Sequence, residues 1–272
     1  MQIDGSTEIY GIIGNPVAHS LSPVIHNSAF QALKLNKVYV PFPASDAGKA
    51  IAACKVLNVQ GLSVTIPHKE SVLAHIDSID PVAEKIGAVN TLVFDEKKSI
   101  HGLNTDWVGA NRALADKLDL KGKKILLLGA GGSAKAIGYG LLEAGAKVTL
   151  ASRTESRLKK LAEILGCDSI PLSEVKGVSA DALVNATSVG MMPLEKVSLM
   201  PAESLGNFPV VMDIVYAPLE TKLIKDAKDA GCEVINGLSM LLYQGAAQFE
   251  AWTGQDAPVE VMRSALMKII EG

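Results

Sequence analysis

The chain has 272 residues, of which 48% are hydrophobic and 20% charged, a composition typical of a globular protein with about two domains. Lysine and arginine number 26 and aspartate and glutamate 29, so the net charge of −3 and the lack of a basic tract argue against nucleic acid as the main partner. Charged side chains interrupt the most apolar region, the N-terminus lacks the pattern of a signal peptide, and the cysteines are scattered, so we predict a cytoplasmic protein without a membrane partner.

Short apolar runs alternate with amphipathic stretches in the first part of the chain. Strands are predicted at Glu8–Gly14, Val38–Phe42 and Leu62–Ile66, and helices at Pro23–Lys34 and Ala47–Leu57. Such alternation is typical of βαβ units and a mostly parallel sheet. The apolar runs Ala88–Phe94 and Ser99–Leu103 flank a charged turn, and we predict that they form a hairpin at the edge of this sheet.

A second alternation follows a helix that we predict from Asp106 to Lys117. Its strands are predicted at Ile125–Leu128, Lys147–Leu150, Ala182–Asn185, Val210–Val215 and Glu233–Ile235. Most of these runs are almost continuously apolar, which is typical of a parallel sheet covered on both faces. The helical stretches Met240–Trp252 and Pro258–Ile270 end the chain.

A glycine-rich turn joins the first strand of this second part to a helix. The segment Lys123–Leu128 runs directly into Gly129–Ala134, which has the pattern G-x-G-x-x-A in the strand–turn–helix context of a dinucleotide fingerprint. A pyrophosphate is favoured at such a helix N-terminus, because the N–H groups and the helix dipole attract an anion. A glycine-rich turn without a ligand stays the alternative.

The tip of the next strand distinguishes between two dinucleotides. It reads Ser152-Arg153-Thr154, with Arg157 following, and no carboxylate stands where an NAD site usually holds its ribose. Guanidinium groups bind phosphate through charge-assisted hydrogen bonds, so we predict NADP(H) as the cofactor. Arg157 as a merely solvated helix residue is the alternative. The loop Asn185–Met191 follows another strand and suits the nicotinamide end of the cofactor.

Polar side chains stand at several element ends in the first part of the chain. Ser22 is predicted to cap the helix that begins with Pro23, and the hydroxyl of Ser20 can face the same way, which suits a carboxylate ligand. Lys69 and Asp106 are the acid–base candidates, because a lysine in a partly desolvated cleft releases its proton readily and a carboxylate fixes its position. Each alone also fits a surface lysine and a helix cap. The histidines form no metal-binding pattern.

Together these segments resemble the shikimate/quinate dehydrogenase family from Tyr10 to about Trp252. The matching segments are Gly14–Pro16, His19–Pro23, His26–Asn27, Val64–Lys69, Gly87–Thr91, Asn104–Asp106, the glycine loop, Asn185–Met191, Asp213–Tyr216 and Gly237–Gln244. The resemblance implies reversible NADPH-dependent reduction of 3-dehydroshikimate to shikimate, a step of aromatic amino-acid biosynthesis, by direct hydride transfer.

The resemblance also implies roles for individual residues, with Lys69 as the catalytic acid–base group and Asp106 beside it. The implied substrate-binding residues are Ser20, Ser22, Thr65, Lys69, Asn90, Asp106, Tyr216 and Gln244. The implied cofactor-binding residues are Gly129, Ala130, Gly131, Gly132, Ser133, Ser152, Arg153, Thr154, Arg157, Thr187, Ile214 and Gly237. The family usually has Asn at the positions of Ser63 and Ser152, and we expect Ser63 to alter a substrate-side hydrogen bond.

We therefore predict an α/β fold of two α/β domains. Residues 1–105 plus 238–272 form a discontinuous substrate-binding domain with a mostly parallel sheet, and residues 106–237 form a Rossmann-type NADP-binding domain. The protein is predicted to act on a small-molecule substrate as a monomer or homodimer. Two alternatives stay open: an enzyme that acts on quinate or another shikimate analogue, and a non-catalytic NADP-binding regulator on the same fold.

Overall fold

The computed structural model describes residues 3–271, with side chains as far as residue 269, and it divides the chain into two compact units. The first unit is Met1–Thr105 with Leu242–Gly272, and the second is Asp106–Leu241. Residues 1–2 and 272, which belong to the predicted substrate-binding domain, lie outside the described residues. Within residues 3–271, no helix combines the length and the apolar character that crossing a bilayer requires.

Strands and helices alternate through both units. The strands are β1 (Glu8–Gly14), β2 (Lys37–Pro43), β3 (Val59–Val64), β4 (Ser78–Ile79), β5 (Thr91–Phe94), β6 (Ile100–Leu103), β7 (Lys124–Leu128), β8 (Lys147–Ser152), β9 (Asp168–Pro171), β10 (Ala182–Asn185), β11 (Val210–Asp213) and β12 (Glu233–Ile235). The helices are α1 (Ser22–Ala32), α2 (Ala47–Val56), α3 (Pro81–Ile86), α4 (Asp106–Ala115), α5 (Gly132–Glu143), α6 (Glu155–Leu165), α7 (Lys222–Asp229), α8 (Gly237–Thr253) and α9 (Val259–Glu271).

The sheet of the first unit has the strand order β2-β1-β3-β5-β6-β4. β1 is parallel to β2 and β3, β4 is parallel to β6, and β5 is antiparallel to both of its neighbours, which confirms the predicted mostly parallel sheet. The predicted β5–β6 hairpin forms, but its predicted place at the sheet edge is wrong, because β4 pairs with β6 on the outer side. A strand of two residues is too short to show a periodic pattern in the sequence.

Helix α3 lies in a stretch to which the sequence pattern assigned no element. Asp80 caps this six-residue helix by accepting hydrogen bonds from the backbone N–H groups of Val82 and Ala83, and Pro81 fits the first turn. The helix is capped at its C-terminus by Gly87, which has φ +67°, and β5 begins at Thr91 rather than at the predicted position 88.

The sheet of the second unit has the order β12-β11-β10-β7-β8-β9 and is parallel throughout. Its central strand β7 carries the run Ile125–Leu128, whose side chains are at most 1% exposed, as a strand covered on both faces requires. The chain proceeds outward from β7 first to β8 and then, on the other side, to β10. In a sheet of this kind ligands bind at the carboxyl ends of the strands, where the order reverses.

Each unit has its own hydrophobic core. The core of the first unit contains Ile13, Ile51, Leu62, Val64, Val72, Val89, Leu92 and Ile100. The core of the second contains Leu126, Leu128, Leu183, Leu205, Phe208, Val211 and Leu223. Because side chains from both strands and helices contribute to each core, the strand ends that carry the predicted site residues are held on packed elements.

Candidate active site

Main-chain hydrogen bonds gather the segments that carry the predicted substrate residues of the first unit. The N–H of Asn15 donates to the carbonyl of Ile66 over 2.9 Å, and the N–H of Val89 donates to the carbonyl of Lys69 over 2.8 Å. The loop after β1, the loop after β3 and the residues before β5 therefore lie together. Thr65 and Lys69 are half-buried within this group of loops.

The serine pair lies at the start of α1, although not in the predicted arrangement. The prediction that Ser22 caps the helix is wrong, because α1 begins at Ser22 itself and Leu21 occupies the capping position. The hydroxyl of Ser20 accepts the N–H of Ser22 over 3.2 Å. The helix thus begins one residue before Pro23, where the sequence predicts its start. The two serines nevertheless remain neighbours at a helix N-terminus, which suits an anion.

Two predicted substrate residues that lie far apart in the sequence, Asn90 and Gln244, meet in the first unit. Nδ2 of Asn90 lies 3.5 Å from Oε1 of Gln244 and 3.0 Å from Oγ1 of Thr105. Asn90, directly before β5, is 2% exposed, and Gln244 is 8% exposed on α8. The structure thus builds a buried cluster of amide and hydroxyl groups, which suits the hydroxyl groups of a small ring.

Asp106 and Tyr216 belong to the second unit. Asp106 is the first residue of α4 and is 3% exposed, so its carboxylate stands at the positive end of the helix dipole. Tyr216 is half-buried in the loop after β11. The pairing of Lys69 with Asp106, and the substrate roles of all these residues, stay predictions.

The glycine loop has the features that a bound pyrophosphate requires. Gly129, which follows β7, has φ +125°, a conformation that favours glycine. Helix α5 begins at Gly132. Its capping position is Gly131, which has no side chain to accept a hydrogen bond from the first turn. A Cβ atom added to Gly131 would meet nothing within 4 Å, while Ala134 is fully buried against the sheet. The start of α5, with Ala130 and Ser133 beside these glycines, is therefore open to an anion.

The residues at the tip of β8 fit a 2′-phosphate. Ser152 ends the strand, and Arg153 and Arg157 are exposed beyond it, together with Thr154. The carboxylate of Glu155 accepts Nζ of Lys159 over 2.6 Å along α6, and among the described residues neither arginine forms an ion pair. Both guanidinium groups can thus bind a phosphate without breaking an existing pair.

A buried polar cluster that the sequence did not reveal supports two other predicted cofactor residues, Thr187 and Ile214. Nδ2 of Asn185 donates to Oδ1 of Asp213 over 2.9 Å, and Oδ1 of Asn185 accepts the Thr187 hydroxyl over 2.7 Å. Thr221 donates to the other oxygen of Asp213 over 2.6 Å. Burial raises the pKa of the Asp213 carboxyl to about 6, although these hydrogen bonds favour its ionised form. Asn185 and Asp213 each end an apolar strand, which is the signal that could have identified the pair.

Gly237 and Ile214 lie in direct backbone contact in the second unit. A Cβ atom at position 237 would lie 2.4 Å from the carbonyl oxygen of Ile214. Only glycine fits this approach, which sets the start of α8 against the loop after β11. Two residues predicted to contact the cofactor are therefore adjacent.

Sequence reasoning also missed a buried group behind Asn90. Tyr39 donates its hydroxyl to Oγ of Ser63 over 2.6 Å, and Ser63 donates to Oε1 of Gln248 over 2.8 Å. Gln248 lies one helical turn after Gln244, a spacing that places both on one face of α8 and could have pointed to it. Ser63, which we expected on the substrate side, is 4% exposed and bonded within the protein.

Family models match three parts of the chain. The shikimate dehydrogenase substrate binding domain matches residues 12–92, the shikimate/quinate 5-dehydrogenase model matches residues 111–218, and the shikimate 5'-dehydrogenase C-terminal domain matches residues 237–267.

Curated and solved relatives match almost the whole chain. The NADP(+) shikimate dehydrogenase of Pyrococcus furiosus is 47% identical, over 96% of both chains. That of Methanosarcina acetivorans is 42% identical, over 97% of this chain and 99% of its own. The crystal structure of shikimate 5-dehydrogenase from Thermus thermophilus with NADP(H) and shikimate has a TM-score of 0.87 and 37% identity, over 96% of this chain and 99% of its own. These matches confirm the predicted resemblance, the fold class, the oxidoreductase class and NADP as the cofactor.

Proposed function

Because the chain belongs to the shikimate dehydrogenase family, we propose that it reduces 3-dehydroshikimate to shikimate with NADPH and catalyses the reverse reaction. The observation that carries the proposal is the buried meeting of Asn90 with Gln244, 154 positions apart, beside the loop of Lys69. A cluster of amides, hydroxyls and one lysine fits a small polyhydroxylated ring that bears a carbonyl group.

Ser20 and Ser22 hold the carboxylate of the substrate, because both lie at the N-terminus of α1, where the Ser20 hydroxyl accepts the N–H of Ser22. Asn90 and Gln244 bind the ring hydroxyls. Thr65 and Tyr216, both half-buried, complete the orientation of the ring.

The loop Gly129–Ser133 holds the pyrophosphate, Arg153 and Arg157 bind the 2′-phosphate, and Thr187, Ile214 and Gly237 line the nicotinamide end. The bound cofactor supplies the hydride for the carbonyl carbon. The protein contributes position, charge and the movement of one proton.

Lys69 moves that proton. In the direction of reduction its ammonium group donates a proton to the carbonyl oxygen, which becomes the hydroxyl of the product, and in the reverse direction its amine accepts the proton. Asp106 holds the ammonium group in place through its negative charge. Positioned proton transfer of this kind contributes about 10²- to 10⁴-fold to the rate.

The substitution Lys69→Ala tests the mechanism. We expect kcat for 3-dehydroshikimate to fall about 10²- to 10⁴-fold, while NADPH binding, followed by nicotinamide fluorescence, remains intact. Lys49→Ala is the matched control, because the Lys49 side chain is 88% exposed on another element of the same unit. Turnover of Lys69→Ala at the wild-type rate would remove Lys69 from its role.

A panel of substrates and cofactors tests the reaction itself. Shikimate and quinate are each oxidised with NADP and with NAD, and the absorbance of the reduced nicotinamide is followed. We expect shikimate with NADP to have the highest kcat/KM. Faster turnover of quinate would favour the quinate alternative, and NADP binding without any turnover would favour the non-catalytic regulator.

A further inference from the structure

A continuous chain of buried hydrogen bonds lies behind Asn90 in the first unit. It joins Tyr39 of β2, Ser63 of β3, Gln248 of α8, Thr91 of β5 and Asn90 itself, and each of these residues is at most 4% exposed. Buried polar groups are costly when unpaired, and a fully connected network specifies one arrangement. We refer to these five residues as the Tyr39–Asn90 chain.

A main-chain N–H group determines which atoms donate and which accept at the Asn90 end of the Tyr39–Asn90 chain. The backbone N–H of Thr105 lies 2.8 Å from Oδ1 of Asn90 and can only donate, so this side-chain atom is the oxygen. The hydroxyl of Thr91 lies 2.7 Å from the same oxygen and therefore donates to it. The oxygen of the Thr91 hydroxyl is left to accept.

The direction continues through Gln248. Its Nε2 lies 3.1 Å from the backbone carbonyl of Asn90, which can only accept, and 3.0 Å from the Thr91 hydroxyl, so this atom is the NH₂ group. Oε1 of Gln248 then accepts the hydroxyl of Ser63, and Ser63 accepts that of Tyr39. Every hydroxyl in the interior of the chain donates once and accepts once.

The chain determines which face of the Asn90 amide is a donor. Since Oδ1 is held by Thr91 and Thr105, Nδ2 is directed at Oγ1 of Thr105 and Oε1 of Gln244. Gln244 in turn uses its oxygen toward Asn90. The Asn90 NH₂ group thereby orients the Gln244 amide, whose donor side, its own NH₂ group, matches the lone pairs of a ring hydroxyl.

We propose that Gln248, Ser63 and Tyr39 are positioning residues for substrate binding, which hold the amides of Asn90 and Gln244 in the donor orientation. The proposal rests on the proposed function, because it assigns these amides to the substrate. Ser63 acts at one remove, through Gln248, rather than on the substrate. A break in this hydrogen-bonded chain leaves Oδ1 of Asn90 held by the backbone N–H of Thr105 but weakens its second support, the Thr91 hydroxyl, so the amides of Asn90 and Gln244 are held less firmly.

Substitutions in the Tyr39–Asn90 chain test the proposal, because they should change KM for shikimate and leave KM for NADP almost unchanged. We expect Ser63→Ala to raise KM for shikimate about fivefold and Gln248→Leu to raise it more, since the loss of one hydrogen bond corresponds to about this factor. Tyr39→Phe, at the far end, has the smallest effect. KM for NADP should stay within about twofold of the wild-type value. Ser28→Ala is the matched control, because among the described residues the Ser28 hydroxyl bonds only to the carbonyl of Val24 in its own helix.

A double-mutant cycle shows whether the effect passes through Asn90. Ser63→Ala should cost about fivefold in kcat/KM for shikimate in the wild-type protein and almost nothing in an Asn90→Ala background. An equal loss in both backgrounds, or parallel increases of both KM values, would overturn the proposal. The Tyr39–Asn90 chain would then have a structural role alone.

Nuclear magnetic resonance keeps the test independent of turnover and of the stability of Asn90→Ala. In ¹⁵N-labelled protein, Ser63→Ala should shift the side-chain NH₂ signals of Asn90 and Gln248, whereas Ser28→Ala should not. Unchanged signals would contradict the proposal. If the wild-type protein failed to turn over shikimate while these signals shifted, the proposed function would fail and the positioning chain would stand.

Discussion

At the scale of single residues, we expect charge at the tip of β8 to decide which dinucleotide the protein prefers. Arg153 is exposed, and within residues 3–271 it has no ion-pair partner. A charge-assisted hydrogen bond to phosphate contributes about 1.5–3 kcal/mol. We therefore expect Arg153→Gln to raise KM for NADPH about tenfold or more and to leave KM for NADH almost unchanged.

Steady-state kinetics with both cofactors measure this preference. Arg112→Gln is the matched control, because Arg112 is an exposed arginine of the same unit on α4. A similar increase of KM for NADPH and NADH in Arg153→Gln would contradict a contact with the 2′-phosphate.

At the scale of elements, the start of α8 depends on the absence of a side chain at Gly237. A Cβ atom there would lie 2.4 Å from the backbone oxygen of Ile214, which cannot move aside as a flexible side chain can. We expect Gly237→Ala to lower the free energy of unfolding by about 1–3 kcal/mol and to weaken NADPH binding. Gly206→Ala is the control, because a Cβ atom at Gly206 meets nothing within 4 Å.

Thermal unfolding and a fluorescence titration with NADPH measure the two effects. A melting temperature and an affinity that both match those of the wild-type protein would show that α8 can shift without consequence.

Elements with a long local pattern could be predicted from the sequence, and those defined by distant partners could not. The run Ile125–Leu128 predicts a buried strand, because four consecutive apolar side chains are buried only when both faces of the strand are covered. Strand β4 has only two residues, and its existence depends on pairing with β6. The site divides in the same way, because Lys69 stands at a recognisable strand end, whereas Ser63 and Gln248 are partners 185 positions apart.

At the scale of the whole molecule, each unit buries a titratable group, and the two groups respond to acid in opposite directions. Burial lowers the pKa of His26 in the first unit to about 3 and raises that of Asp213 in the second to about 6. Between pH 6.5 and 3 the unfolded chain binds more protons at His26 than the folded one, so the first unit loses stability as the pH falls. Between pH 6 and 3.8 the folded chain binds more protons at Asp213, so the second unit gains stability.

Substitution of one buried group should leave the pH dependence of stability that the other group contributes. A single group whose pKa is shifted in this way changes the free energy of unfolding by roughly 1.4 kcal/mol per pH unit within its window. On acidification from pH 6 to 4, we expect the first unit to lose less stability in His26→Leu than in the wild-type protein. In Asp213→Asn we expect the second unit to gain no stability over the same range. Hydrogen exchange at backbone amides of β3 and β7, compared with the wild-type protein at each pH, measures the two units separately. An identical pH dependence in both variants and the wild type would mean that neither buried group titrates with the shifted pKa, and the opposition between the units would be lost.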